Sequence, residues 1–272
     1  RPQKPQTGTH GIGSMTRPPE LPKLFESLLE QDWAEITLGK SDARVWRITL
    51  GAGNVVFLKA ERQHDLAELE GEYDRLSWLT TMGFKAPRVV DTAEENGFSW
   101  LLLTAVPGKD LTHYLDDPAT YIRVYSQGLK RMHALDPSTC PFDHSIEARL
   151  IEAERRVTAG LVDEGDFDAE RLGWTAREVL DWLRSNPISE GARIVTHGDP
   201  STPNILAEDG RFSGMVDCGR VGVADVWQDL AIACRSIRDN IGEEHIAPFL
   251  KLYGAEWDAE KFRYFTTLDE LF

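Results

Sequence analysis

The chain has 272 residues, 41% hydrophobic and 28% charged, with 45 acidic against 30 basic side chains and a formal net charge of −15. This length suits one large domain or two lobes, and no apolar run approaches the roughly 20 residues needed to span a bilayer. The acidic balance argues against nucleic acid as a partner and suits a cationic one, or simply keeps the protein soluble. Three cysteines, Cys140, Cys218 and Cys234, are widely spaced and form no CxxC pair. They suggest neither a zinc site nor a disulfide framework, and a reducing, cytoplasmic setting is expected.

Residues 1–14, RPQKPQTGTHGIGS, are polar and read as a vector-derived tail, with Met15 the expected native start. From about residue 32 to 61 the text reads as strands, with ARVWRITL and NVVFLKAE flanking the Gly-rich turn GAGN as a hairpin. Leu66, Leu69, Tyr73, Leu76 and Leu79 recur at helical spacing, which predicts a helix over 65–81. FSWLLLTA (98–105), bounded by ENG and PG, reads as a buried strand.

After VPGKD (106–110) the character becomes helical, with amphipathic patterns over 118–134 and 145–160 and two more helices within 226–253. Between them lie the β-like pieces ARIVTHGD and NILAEDGRFSGMVDCGR, the second a hairpin around Asp209-Gly210. The expected fold is α+β and two-lobed: a β-rich N-lobe with one helix (15–105), a hinge near Val106 to Gly108, and a mostly helical C-lobe (106–272).

VTHGDPSTPN, residues 195–204, follows a β-branched run and carries the strongest chemical signal. Asn204 lies five residues after Asp199, and Asp217 of MVDCGR a further thirteen on. That is the order and spacing of the protein-kinase H-R-D…N…D-F-G set, with Gly198 and Cys218 substituted. A lone Gly-Asp is an ordinary turn. The spaced triplet with a hairpin between its last two members is far harder to reach by chance. Upstream, Lys59 closes VVFLK as the lysine of V-A-I-K does, and Glu72 sits in the helix that follows. Each alone would be a solvated charge. Two decoys fail: LGKS (38–41) needs a glycine where Ala34 stands, and GAG (51–53) lacks the third glycine of GxGxxG. The loop around Ser41 could still cover phosphates through its backbone N–H groups.

VTHGDPSTPN, FSGMVDCGRVGVADVWQDLA and the closing YFTTLDELF, with RLSWL and CPFDH, together resemble the aminoglycoside 3'-phosphotransferases, bacterial antibiotic-resistance kinases, from about Trp33 to Phe272. The resemblance implies a protein-kinase-like fold and ATP- or GTP-dependent, Mg2+-dependent transfer to the 3'-hydroxyl of a kanamycin- or neomycin-type drug. It implies Asp199 as the catalytic residue, and Asn204 and Asp217 as magnesium ligands. Lys59 would hold the α and β phosphates, oriented by Glu72, with Ser41 touching the β phosphate. Thr104 and Val106 would pair with adenine through backbone groups, with Phe57 stacked on it. Asp166, Asp168, Asp269, Glu270 and Phe272 would line the polycation site, with Arg220 and Arg235 also on binding positions. The acidic field then acquires a purpose, steering a polyamine inward.

The loop reads PSTP where relatives commonly have ACLP, Ser236 stands where some carry an acidic residue, and Trp227 replaces a smaller ring. These departures bear on substrate breadth. Rival readings are a kinase of another small molecule with the same fold, acting on a sugar, an amino alcohol or a macrolide, and a non-catalytic pseudokinase. No nucleic acid, membrane or obligate protein partner is expected. His133 and His144 read as packed or surface groups, and His197 as an anchor of the loop rather than its base.

Overall fold

Alternation of apolar and polar side chains builds the N-terminal sheet of the computed structural model, which describes Pro18, residues 21–36 and residues 43–272. The 1–14 tail and Ser41 lie outside the described residues. The chain divides after Val106 into two units.

The first unit holds β1 (Asp32–Ile36), β2 (Arg44–Thr49), β3 (Val55–Arg62), α1 (Leu69–Thr81), β4 (Val89–Glu95) and β5 (Phe98–Thr104). The strands form an antiparallel sheet in the order β1-β2-β3-β5-β4. The β2/β3 hairpin turns where expected, through Ala52 and Gly53 at φ 65° and 79°. Asn96 and Gly97 both have positive φ at the β4/β5 turn, the backbone that matches the twist of adjoining strands.

Period-2 alternation sends Trp46, Ile48, Leu58, Trp100 and Leu102 to one face, where they pack with Phe25 and Trp33. Trp46 sits between the other two indoles, with ring centroids 6.4 Å from Trp33 and 6.3 Å from Trp100. The opposite face carries Leu101 and Leu103 of β5, and α1 covers it with Leu69, Leu76 and Leu79.

Helix α1 begins at Leu69 rather than at the predicted 65. Its first N–H groups are capped from a strand: Glu61 Oε2 accepts from the N–H groups of Glu68 (2.9 Å) and Leu69 (2.8 Å). Helical periodicity cannot show a cap supplied from another element, so Leu66 fitted the pattern yet lies outside the helix.

The second unit contains α2 (Pro118–His133), α3 (Ile146–Ala159), α4 (Ala176–Ser185), α5 (Trp227–Ile241), α6 (Ile246–Tyr253) and α7 (Ala259–Asp269). Its strands are β6 (Lys109–Asp110), β7 (Arg193–Thr196), β8 (Ile205–Glu208), β9 (Arg211–Met215) and β10 (Gly222–Asp225), arranged as β6-β8-β9 and β7-β10. Local chemistry sets several boundaries. Asp117 accepts the Thr120 N–H at 3.1 Å ahead of Pro118, and Gly242, at φ 110°, separates α5 from α6.

Two helices escaped the sequence reading. The start of α4 is a capping box, with Thr175 and Glu178 satisfying each other's backbone N–H groups. The closing segment, for which no helix is predicted, carries the second. There α7 is capped by Asp258 and buries Tyr264 through Leu268 against α5 and α4. No helix among the described residues is long and apolar enough to cross a membrane.

Candidate active site

Strand parity places Lys59 on the face that α1 covers. Its Nζ donates to both oxygens of the Glu72 carboxylate, at 2.8 and 2.7 Å, and both side chains are largely buried. Glu61, two residues further along the same face, is the cap of α1. Strand β3 therefore holds the helix at two successive points, and the Lys59–Glu72 distance is set by the packing of α1 on the sheet. Phe57 is half-buried on the Lys59 face of β3, paired in register with Leu103. Thr104 ends β5; its N–H donates to Arg88 O (2.9 Å) and its Oγ1 accepts the Arg88 N–H (2.9 Å). Half-buried Val106 lies two residues on.

In the second unit, VTHGDPSTPN leaves β7 and bends at Gly198, φ 89°. A Cβ there would lie 2.3 Å from the Arg220 carbonyl oxygen, so only glycine fits and the arginine of H-R-D has no room. Asp229 of α5, fully buried, holds this bend. Its Oδ2 accepts the His197 N–H (2.7 Å) and its Oδ1 the Gly198 N–H (2.9 Å), while His133 Nε2 bonds Oδ2 at 2.9 Å. Gln228 Nε2 donates to Gly198 O at 3.2 Å. The His197 ring is buried with Nε2 against Val216 O at 3.0 Å, the anchoring position expected of it. His133 and His144 are both packed: His133 Nδ1 meets the Tyr253 hydroxyl at 2.7 Å, and His144 Nε2 accepts from Arg149 Nη1 at 2.7 Å.

Asp199 follows this anchor, half-buried. Burial pushes its carboxyl above the usual range, opposed by Arg220 and His197 and reinforced by the neighbouring Asp269 and Asp217. A raised pKa makes the ionised form a stronger hydrogen-bond acceptor for a hydroxyl. Asn204 Nδ2 donates to Asp199 O (2.9 Å), Ser201 Oγ (3.0 Å) and, more weakly, Asp199 Oδ2 (3.3 Å). With the nitrogen so engaged, the amide oxygen turns the other way. The Val216 N–H donates to Asn204 O at 2.9 Å, so the β8/β9 hairpin brings Asn204 beside the residue preceding Asp217.

Asp217 is exposed and has a left-handed backbone, φ 59° and ψ 56°. That conformation costs an aspartate of order 1 kcal/mol, and such strain concentrates at functional sites. The Asn204 amide oxygen and the Asp217 carboxylate are hard oxygen donors of the kind magnesium takes, together with waters and substrate phosphates. No all-protein cluster of three or more His, Cys, Asp or Glu groups suited to a metal occurs among the described residues. Magnesium is commonly held by one or two protein oxygen ligands with waters and substrate phosphates rather than by an all-protein cage.

The carboxylates from the closing segment lie among arginines. Asp269 pairs with Arg235 through a short hydrogen bond and with Arg220 at 3.7 Å. Burial works against its charge, but Arg235 and Arg220 outweigh this and hold the carboxyl below the usual range. Arg171, buried, bonds Glu270 Oε1 (3.2 Å), Thr267 Oγ1 (3.0 Å) and the Asp168 carboxylate. Burial, with Asp168 beside it, pushes Glu270 up to about 7 against the pull of Arg171. The Phe272 ring has the Arg149 guanidinium 3.5 Å from its centroid and those of Arg156 and Arg220 at 5.6 Å. Asp166 is exposed at the end of a short 3-10 turn, two residues before Asp168.

A family model described as the phosphotransferase enzyme family matches residues 32–263. The chain is 34% identical to an aminoglycoside 3'-phosphotransferase of Niallia circulans, over 92% of its own length and 96% of the relative's. The chain belongs to the phosphotransferase enzyme family. A second relative, an aminoglycoside 3'-phosphotransferase of Streptomyces fradiae, is 34% identical over 89% of this chain and 95% of that one. Among solved structures, a type VIII aminoglycoside-3'-phosphotransferase is similar with a TM-score of 0.80 at 33% identity, covering 89% of this chain and 94% of the other. An aminoglycoside phosphotransferase of Streptomyces rimosus, solved with ADP and streptomycin, has a TM-score of 0.74 at 25% identity, covering 88% and 92%.

The fold of this phosphotransferase is therefore the family's kinase-like α+β arrangement. Sequence reasoning missed Asp229 and Arg171 as supports of the site. Asp229 reads as an ordinary helix residue in VWQDLA, and nothing local signals that its carboxylate turns inward. Arg171, in ERLGW, carries even less signal, since a surface arginine is the default.

Proposed function

We propose that this phosphotransferase transfers the γ-phosphoryl group of ATP, or of GTP, to the 3'-hydroxyl of a kanamycin- or neomycin-type aminoglycoside, conferring resistance as a cytoplasmic enzyme. The observation that carries the reading is the loop in which Asp199, with its raised pKa, lies against Asn204, itself held by the hairpin beside Val216 and so next to Asp217. Asp199 accepts the hydrogen of the acceptor hydroxyl. The hydroxyl oxygen bonds to the γ phosphorus as its bond to the bridging oxygen breaks, and ADP leaves. Such transfer depends mainly on positioning and electrostatics, because the loose transition state demands little of the base. Asn204 and Asp217 hold magnesium, which when bound offsets the phosphate charge. Lys59, oriented by Glu72, binds the α and β phosphates, the Thr104 and Val106 backbone pairs with adenine, and Phe57 stacks on it.

Asp166, Asp168, Asp269 and Glu270, with Phe272, receive the polyamine. In the resting chain Arg171, Arg220 and Arg235 partner three of these four carboxylates, so ammonium groups bind by sharing or displacing guanidiniums. The test is phosphate transfer to kanamycin and to a 3'-deoxy aminoglycoside, with the Asp199→Ala variant alongside. Transfer to the first and not the second is expected, with Asp199→Ala losing turnover while nucleotide binding persists. Wild-type turnover by Asp199→Ala would refute the role given to Asp199.

A further inference from the structure

The segment between Asp199 and Asn204 is tied on both sides by side chains of two helices. Tyr125 of α2 donates its hydroxyl hydrogen to Pro200 O. The Thr202 hydroxyl is buried, 2.5 Å from the Tyr121 hydroxyl, and accepts from Asn240 Nδ2 at 3.1 Å. Tyr121 and Tyr125 stand on one helix and Asn240 on another, so the backbone on both sides of Ser201 is tied to the core of the unit. Pro200 fixes its own φ and stiffens the entry to the segment.

Ser201 Oγ is thereby presented to a single neighbour among these loop groups, the Asn204 amide. Nδ2 carries two hydrogens and faces three acceptors. The shorter contacts, to Asp199 O at 2.9 Å and Ser201 Oγ at 3.0 Å, take the two N–H bonds, and Asp199 Oδ2 at 3.3 Å receives only a remnant. Without the serine oxygen the second N–H has one acceptor left, the Asp199 carboxylate. The amide would rotate toward it, carrying its own oxygen away from its present direction.

We propose that Ser201 is a positioning residue for phosphoryl transfer: its hydroxyl draws one Asn204 N–H away from the Asp199 carboxylate and fixes the direction of the Asn204 amide oxygen. This rests on the phosphoryl-transfer reading of the loop and deepens it. The serine acts through Asn204. One neutral hydrogen bond orients the ligand, so its loss should weaken metal binding about threefold to tenfold.

Three variants test this, Ser201→Ala, Ser201→Thr and Asn204→Ala, each compared with the parent enzyme. Mn2+ binding in the presence of ADP is measured by electron paramagnetic resonance, with kcat, the acceptor KM and the thermal midpoint recorded in parallel. Ser201→Ala should weaken Mn2+ binding about threefold to tenfold and lower kcat to a similar degree. Its acceptor KM and midpoint should stay unchanged, and Ser201→Thr, which keeps the hydroxyl, should behave as the parent does. Unchanged Mn2+ binding in Ser201→Ala, or an equal loss in Ser201→Thr, would overturn the proposal. If Asn204→Ala also binds Mn2+ as the parent does, the phosphoryl-transfer reading itself fails. If Asn204→Ala loses binding and Ser201→Ala does not, only the role of Ser201 fails.

Discussion

Asp229 offers the sharpest test of how the loop carrying Asp199 is held, because one buried carboxylate satisfies three donors. Its oxygens lie 2.7 Å from the His197 nitrogen, 2.9 Å from the Gly198 nitrogen and 2.9 Å from His133 Nε2. Truncation by Asp229→Ala strands two buried backbone N–H groups and one ring nitrogen. Each stranded buried donor costs about 1–3 kcal/mol. The three share one site and relax together, so the total comes to about 3–6 kcal/mol rather than the full sum. That is a large part of the roughly 5–15 kcal/mol that stabilises a typical fold, and Asp229→Ala should be marginally folded.

Asp229→Asn is the more informative change. The amide oxygen can still accept one backbone N–H, while the amide nitrogen faces the other donor, at a cost of about 2–3 kcal/mol. Denaturant unfolding measures that cost, and steady-state kinetics measures the loop. The bend at Gly198 sets where Asp199 stands, and a misplacement of about 1 Å near reacting groups costs on the order of a hundredfold in rate. Asp229→Asn should therefore lose about a hundredfold in kcat with little change in nucleotide KM. An Asp229→Asn enzyme with parental kcat and parental stability would refute the anchoring argument.

Three further outcomes follow from single contacts. Glu72→Gln keeps a hydrogen bond to Lys59 but removes the charge, so it should raise nucleotide KM several-fold and destabilise the fold by about 1–2 kcal/mol, read from nucleotide titration and unfolding. Gly198→Ala sets a Cβ 2.3 Å from the Arg220 carbonyl oxygen at φ 89°, and should cost more than about 2 kcal/mol and abolish turnover; a folded, active Gly198→Ala enzyme would contradict the close approach. Glu270, raised to about 7 by burial from 4.5, keeps its proton in the native state through pH values where the unfolded chain has lost it. Its contribution is full below about pH 4.5 and is lost as pH rises to about 7, a ceiling near 3 kcal/mol. The stability of the parent relative to Glu270→Gln should accordingly decline across that window, and a difference that is flat or rising would refute the shift.

How much of this was legible in the sequence depends on whether the signal is local. The β2/β3 hairpin, the FSWLLLT strand and α2 announce themselves through alternation, helical spacing and turn chemistry within one segment, and they lie where the patterns predict. The start of α1 does not, because its cap is Glu61 of β3. The TARE capping box ahead of α4 is a local signal of a helix start. α7 was obscured by the acidic, end-of-chain look of LDELF, although Tyr264 to Leu268 form a buried run. Lys59 and Glu72 were nominated by order along the chain, and their ion pair follows from strand parity and helix packing that spacing alone does not encode.

The loop itself shows the same division in miniature. H-G-D reads as a weakened H-R-D when only sequence is compared. In three dimensions the glycine is required by the Arg220 carbonyl behind it, and Asp229 and Gln228 secure the bend by its backbone. The segment Pro200–Thr202 is tied by Tyr125, Tyr121 and Asn240 and leaves Ser201 facing Asn204. Substitution within a catalytic loop is thus constrained by the surfaces packed behind it as much as by the groups in front. For this phosphotransferase, removing only the Tyr121 hydroxyl, as in Tyr121→Phe, or the Asn240 amide should therefore lower turnover through Thr202 and the Ser201–Asn204 contact while the helix packing is kept.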